Sequence, residues 1–267
     1  MEQAGYTDAD QLENLGKEDL SYLLKFVYRP DIVPTFDSDS FGNEQHLFEH
    51  LDLQGRNLEM VPIFLYKHAD WIVSLDLSGN PMSDIPADFV QMCYNLRSLR
   101  LSKLALKRLP QGVRESETLT HLDISNNRIP ELSHISLEAC QELTSVKAQN
   151  NRLYELPGYF ARIETLRYLN LSNNRFDVFP QVLCDASGLM DLDVSFNAIT
   201  QLPSSINKLV NLQRFIFVGN QVEELPETMS SLTNLRTVDL RRNLVQDVSV
   251  LFTMPNVNVV QCEHNSI

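Results

Sequence analysis

The sequence predicts an α/β solenoid: a horseshoe arc with a parallel sheet of about ten strands along its concave side and short helical or 3₁₀ pieces along its convex side. Three observations predict it. An eleven-residue pattern, apolar-x-x-apolar-x-apolar-x-x-Asn-x-apolar, recurs through most of the 267 residues at steps of 22 to 24. Its middle alternates apolar and polar residues, as "Leu169-Asn-Leu171" does, which makes a short strand with one buried face. About ten residues then remain before the next pattern, room for a helical turn or 3₁₀ piece but not for a long helix.

Units open at Phe48, Ile72, Leu96, Leu119, Leu143, Leu166, Leu189, Leu212, Leu235 and Val257. They give nine full units and a tenth that is cut short, the arithmetic of leucine-rich repeats. The chain therefore divides into a non-repeat flank, residues 1–45, and a repeat region, residues 46–267. In the flank, "DQLENLGKEDLSYLLKFVYRP" spaces Leu12, Leu15, Leu20, Leu23, Leu24 and Phe26 almost helically around Gly16. It reads either as a cap on the first unit or as the tail of a preceding domain. "PTFDSDSFGNEQ" follows as an acidic linker.

Within a unit, the asparagine stands at a tight turn, where its amide can pair backbone groups of its own and the neighbouring unit. Asn80, Asn127, Asn151, Asn174, Asn197, Asn220, Asn243 and Asn265 form this ladder, which Arg56 and Leu104 break. Leu-Pro follows at Leu109-Pro110, Leu156-Pro157, Leu202-Pro203 and Leu225-Pro226, and proline fixes the chain as it leaves for the convex side. "SSINKLVNL" then returns apolar side chains to the core. No unit buries its apolar face alone, and stacking supplies the core. Ten strands about 4.8 Å apart make an arc roughly 45 Å long. In the last unit Val257, Val260, Cys262, Asn265 and Ile267 fill the five fixed places, and the sequence stops there without a polar cap. The expectation is a piece of a longer protein with an open strand edge and exposed apolar groups, the alternative being a naturally degenerate end.

A net charge of −13 argues against a general binder of nucleic acid or acidic membranes, but not against a basic protein partner. Residues 1–45 hold ten Asp or Glu against three Lys or Arg. No signal peptide and no run of about 18 apolar residues is seen, so membrane insertion is not expected. Cys93, Cys140, Cys184 and Cys262 are scattered, which points to free buried thiols in a reduced intracellular chain.

Catalytic and cofactor motifs are missing from the sequence: there is no phosphate loop and no G-x-G-x-x-G. "DSDSFGNEQHLFE" matches a calcium loop at Asp37, Asp39 and Gly42 but puts Phe41 and Phe48 where oxygen ligands belong. His46 and His50 are spaced as in zinc helices, with neither the Glu nor a third ligand, and read as a surface pair. The concave strand residues remain. Units 4 to 6 fill them with small or polar groups such as Asp123, Ser125, Lys147, Gln149, Asn170 and Ser172. Units 7 to 9 differ, with Phe196, Ile216 and Val218 beside Arg214, Arg236, Arg241 and Arg242, and Tyr168 next door. These eight residues are the candidate protein-binding patch. The competing reading is that Phe196 and Ile216 pack together to fill the curve.

"LDLQGRNLEMVPIFLYKHADWIVSLDLSGNPMSDIPADFVQ", "VKAQNNRLYELPGYFARIETLRYLNLSNNRFDVFP", "LMDLDVSFNAITQLP" and the final "EHNSI" resemble the leucine-rich repeat region of fungal adenylate cyclases. "EQAGYTDADQLENLGKEDLSYLLKFVYRP" resembles the stretch before the repeats in that family. The resemblance implies a Ras-association domain ahead of the repeats, and a phosphatase-like domain and the cyclase domain after them. It implies a parent enzyme that makes cyclic AMP from ATP with magnesium, is cytoplasmic or peripheral at membranes through its partners, and receives activated Ras through the repeats. None of the cyclase's metal-binding or base-reading residues falls within this chain. The expected partner is thus a Ras-type small GTPase, with Arg214, Arg236, Arg241 and Arg242 as contacts to its acidic surface. The alternative is a stand-alone scaffold or a phosphatase or Ras-pathway adaptor.

Overall fold

The fourth place of each unit forms a single row through the molecule. In this computed structural model, which describes residues 48–134 and 136–267, Leu51, Leu75, Leu99, Leu122, Val146, Leu169, Leu192, Phe215, Val238 and Val260 are register neighbours. The readings of the flank, of His46 and of the calcium-like stretch lie outside the described residues, except for Phe48 and His50. The ten strands are β1 (His50–Asp52), β2 (Ser74–Asp76), β3 (Ser98–Arg100), β4 (His121–Asp123), β5 (Ser145–Lys147), β6 (Tyr168–Asn170), β7 (Asp191–Asp193), β8 (Arg214–Ile216), β9 (Thr237–Asp239) and β10 (Val259–Gln261). They make one parallel sheet in chain order. Each is three residues long because only the middle one turns inward and the turn follows at once. Backbone bonds continue past the strands, as from Leu53 N–H to the Asp76 carbonyl at 2.8 Å.

The convex returns are short, as the spacing requires. Five are 3₁₀ segments of five residues: Gln111–Glu115, Gly158–Arg162, Gln181–Asp185, Ser204–Lys208 and Glu227–Ser231. The helices Phe64–Lys67, Ala87–Met92 and Ser249–Phe252 serve units 1, 2 and 9. Pro86 and the five prolines before the 3₁₀ segments hold φ between −57° and −72°, which launches the turn where a backbone N–H would be unpaired anyway.

All eight asparagines make the same three bonds. Asn197 is typical: its Nδ2 donates to Leu171 O at 3.1 Å and Val194 O at 2.9 Å, and its Oδ1 accepts from Phe176 N at 3.1 Å. Where the ladder is broken the backbone changes. Asn57 and Ala105, each one residue after the missing asparagine, take φ of 58° and 59°, a left-handed turn that the tenth place of no other described unit takes.

One continuous apolar core runs the length of the arc, with Phe89, Phe160, Phe176, Phe179, Phe215 and Phe217 among its largest fully buried side chains. Cys93, Cys140 and Cys184 are free thiols buried in it, and desolvation pushes Cys93 and Cys140 up to about 12, so they are inert hydrophobes at neutral pH. In unit 10 the core places Val257, Val260 and Cys262 are only half-buried, whereas Leu212, Phe215 and Phe217 at the same places of unit 8 are fully covered.

Candidate protein-binding face

The concave face has its own grammar. At the fifth template place, Asp52, Asp76, Asp123, Asn170, Asp193 and Asp239 each accept, through Oδ1, the backbone N–H two residues on, at 2.9 to 3.3 Å. These side chains brace the turn. Their presence is structural, so the informative positions are those that give the brace up: Arg100, Lys147, Ile216 and Gln261.

The eighth place is left-handed in every unit, with φ from 53° to 69°. Glycine or asparagine tolerates that conformation, and Asn126, Asn150 and Asn173 link side chains there, with Asn150 Nδ2 donating to Asn126 Oδ1 at 2.9 Å and Asn173 donating in turn to Asn150. Phe196 comes next in this row at φ 53°, and its side chain is half exposed. Its ring lies over Gly219, where an added Cβ would meet Phe196 Cδ1 at 2.7 Å. A bulky left-handed residue costs roughly 1–2 kcal/mol, and here it holds a half-exposed aromatic ring over Gly219.

The eight candidates do not form one patch. Ile216 and Val218 are 7% and 8% exposed, so they fill the curve rather than project from it. Ile216→Ser is therefore expected to lower stability by about 2 kcal/mol, readable as a lower urea midpoint. Arg214 shares Nη1 with both Asp191 oxygens at 3.2 and 3.3 Å. Burial raises the Asp191 carboxyl despite that pair. Arg241 grips Asp239 at two points, Nε to Oδ1 at 2.8 Å and Nη2 to Oδ2 at 2.6 Å, and the pairing holds its guanidinium protonated. Tyr168 is half-buried at the start of β6. Arg236 and Arg242 are exposed and form no ion pair among the described residues, but β9 runs between them and carries them to opposite rims.

The structure thus brings Phe196 and Arg242 to the turn rim, on either side of Gly219. Leu244, half exposed two residues after Arg242, joins them. Leu244 was not among the sequence candidates. Its signal is the tenth template place, which holds Arg128, Arg152 and Arg175 in units 4 to 6. A second feature escaped the sequence reading: a recess of about 410 Å³ on the concave face of the first five units, lined by His50, Arg97, Arg100, His121 and Lys147 among others. Among the described residues no cluster of three or more metal-binding side chains occurs, and no helix is long and apolar enough to cross a membrane.

Comparison with known proteins places this architecture. The leucine-rich repeat family matches residues 117–176, and the PHLPP protein RA domain matches residues 1–28. The adenylate cyclase of Neurospora crassa is 44% identical over 272 residues, covering 100% of this chain and 12% of that protein. The adenylate cyclase of Mycosarcoma maydis is 75% identical over 112 residues, 42% of this chain and 4% of that protein. The crystal structure of an internalin C2 from Listeria monocytogenes shares the fold, with a TM-score of 0.66 at 21% identity over 74% of this chain and 83% of that one. The chain spans about an eighth of the length of the Neurospora crassa relative. The repeat region is thus a leucine-rich repeat solenoid, and the chain is homologous along its whole length to a segment of the fungal adenylate cyclases.

Proposed function

We infer that this chain is the regulatory, protein-interacting region of an adenylate cyclase and that it receives a Ras-type small GTPase in its GTP state. The observation that carries the parentage is the full-length match to an adenylate cyclase at 44% identity. The match of residues 1–28 to an RA domain is in keeping with a Ras-association domain ahead of the repeats. In this reading ATP turnover and its magnesium belong to the cyclase domain of the parent protein, in the cytoplasm or at membranes through partners. The repeats pass on the signal.

The docking point is the turn rim of units 7 to 9. Phe196 supplies an aromatic anchor, Arg242 a cation with no ion pair among the described residues, and Leu244 apolar area beside them. Arg214 and Arg241 are already neutralised and contribute less.

The test is binding of this chain to a Ras-type GTPase loaded with a GTP analogue or with GDP, read by calorimetry. The expected result is binding to the GTP form only, weakened at least tenfold by Phe196→Asn and again by Arg242→Glu. Phe196→Asn separates binding from folding, because asparagine accepts the left-handed turn and continues the row of Asn126, Asn150 and Asn173. Its melting temperature should hold or rise. Equal affinity for both nucleotide states, with the chain folded, favours the scaffold reading.

A further inference from the structure

We propose that the recess across β1 to β5 is a second docking site, which takes an extended acidic segment of a partner protein. It shares no residue with the turn rim, so it stands or falls apart from the GTPase reading.

The argument is one of charge placed against the grain of the molecule. The chain carries −13 overall, yet the recess is lined by Arg97, Arg100 and Lys147, with His50 and His121, against a single carboxylate, Asp123. Asp123 is partly committed, since its Oδ1 accepts the Ser125 N–H at 2.9 Å. Arg100 reaches Asp76 only at 3.6 Å, and its side chain is 59% exposed. Arg97 and Lys147 are exposed and form no ion pair among the described residues. With three cations against one partly committed carboxylate, the recess keeps a positive charge that a further anion offsets.

The placement of Arg100 and Lys147 strengthens the case. Both stand at the fifth template place, where six units use Asp or Asn to brace the turn. In unit 3 the brace is replaced by a longer route, with Ser102 N–H donating to Ser78 Oγ of the preceding unit at 3.1 Å. The chain has given up a local stabilising device at two positions of one recess, and each time a cation stands in its place. Asp123, in register between them, separates the two cations into distinct subsites.

Shape selects the occupant. Five strands about 4.8 Å apart make a trough roughly 20 Å long, and an extended peptide rises about 3.3 Å per residue, so about six residues lie along it. Its carboxylates lie within reach of the cations on their long side chains, while Ser74, Ser98 and Ser145 on the floor offer hydroxyls to the peptide.

The experiment is fluorescence anisotropy of a labelled octapeptide of alternating Asp and Glu, titrated with the full chain. Saturable binding is expected at low salt, at least tenfold weaker in 0.3 M salt, because screening shortens the reach of the charges. Arg97→Glu with Lys147→Glu should weaken it at least tenfold, while Arg128→Glu with Arg152→Glu, an equal charge change outside the recess, should not. Thermal unfolding checks that the variants fold, and Arg97→Gln with Lys147→Gln serves if the charge reversal does not. Absence of saturable binding overturns the proposal. So does equal loss in the variant with Arg128→Glu and Arg152→Glu, or equal binding of a Gln-for-Glu, Asn-for-Asp peptide. Binding seen only after Asp31, Asp37, Asp39 and Glu44 are made amides assigns the recess to the chain's own acidic stretch and overturns the partner.

Discussion

Phe215→Ala is expected to lower the stability of the arc by about 4 kcal/mol. Phe215 is the central residue of β8 and has no solvent exposure. Its ring lies 4.7 Å from that of Phe217 and meets Phe179 edge-on at 6.3 Å. Removing it leaves a void that cannot close, because β7 and β9 are tied to β8 by backbone ladders on both sides. The repeats have no other source of cohesion than their neighbours, so a weak joint in the middle uncouples the two ends. Urea unfolding followed by hydrogen exchange should show β9 and β10 losing protection before β2 to β5 do. A loss below about 1 kcal/mol, with exchange still uniform, would mean that the pocket collapses and that the core is softer than its packing indicates.

The fold was legible because each core place is written ten times. A single strand of three residues carries too little pattern to be read alone. Ten of them at a fixed step set the register of Leu51 through Val260 without ambiguity. The convex pieces were legible only as short: whether Ala87–Met92 closes as an α-helix and Ser204–Lys208 as a 3₁₀ turn is decided by packing against the next unit, which spacing does not record. The concave face was least legible. Strict alternation sends Ile216 and Val218 to solvent, yet neighbouring side chains on strands under 5 Å apart cover one another, and both are buried. The pairs Arg214–Asp191 and Arg241–Asp239 were hidden for the same reason, since sequence shows charges but not which of them are spent on each other. Phe196 is different. The eighth place reads Gly, Gly, Lys, Asn, Asn, Asn, Phe, Gly, Arg, His down the units, and a phenylalanine in a column otherwise of glycine and polar residues is an anomaly visible without coordinates.

Asn197→Ala with Asn220→Ala should cost more than the two changes made singly, by about 1 kcal/mol, for a total near 5 kcal/mol. The reason is the wiring of the ladder. Val194 O accepts from Asn197 Nδ2 at 2.9 Å and from Asn220 Nδ2 at 3.0 Å. Phe217 O is shared in the same way by Asn220 and Asn243. In Asn220→Ala alone each carbonyl keeps one partner, and only Ile199 N–H, bonded to Asn220 Oδ1 at 3.1 Å, is orphaned. One buried unpaired donor costs about 2 kcal/mol. The second change orphans Phe176 N–H as well, and it strips Val194 O of both amides at once. That shared carbonyl is the source of the excess. Leu104 shows what the chain does when a rung is absent: Ala105 turns left-handed at φ 59°, a rearrangement that one missing rung permits. Two consecutive missing rungs would need adjacent left-handed turns, each costing roughly 1–2 kcal/mol. Equilibrium urea unfolding of the two single variants and the double gives the coupling directly. Additivity within about 0.3 kcal/mol would mean that water repairs Val194 O, and that the ladder is eight independent braces rather than one cooperative element.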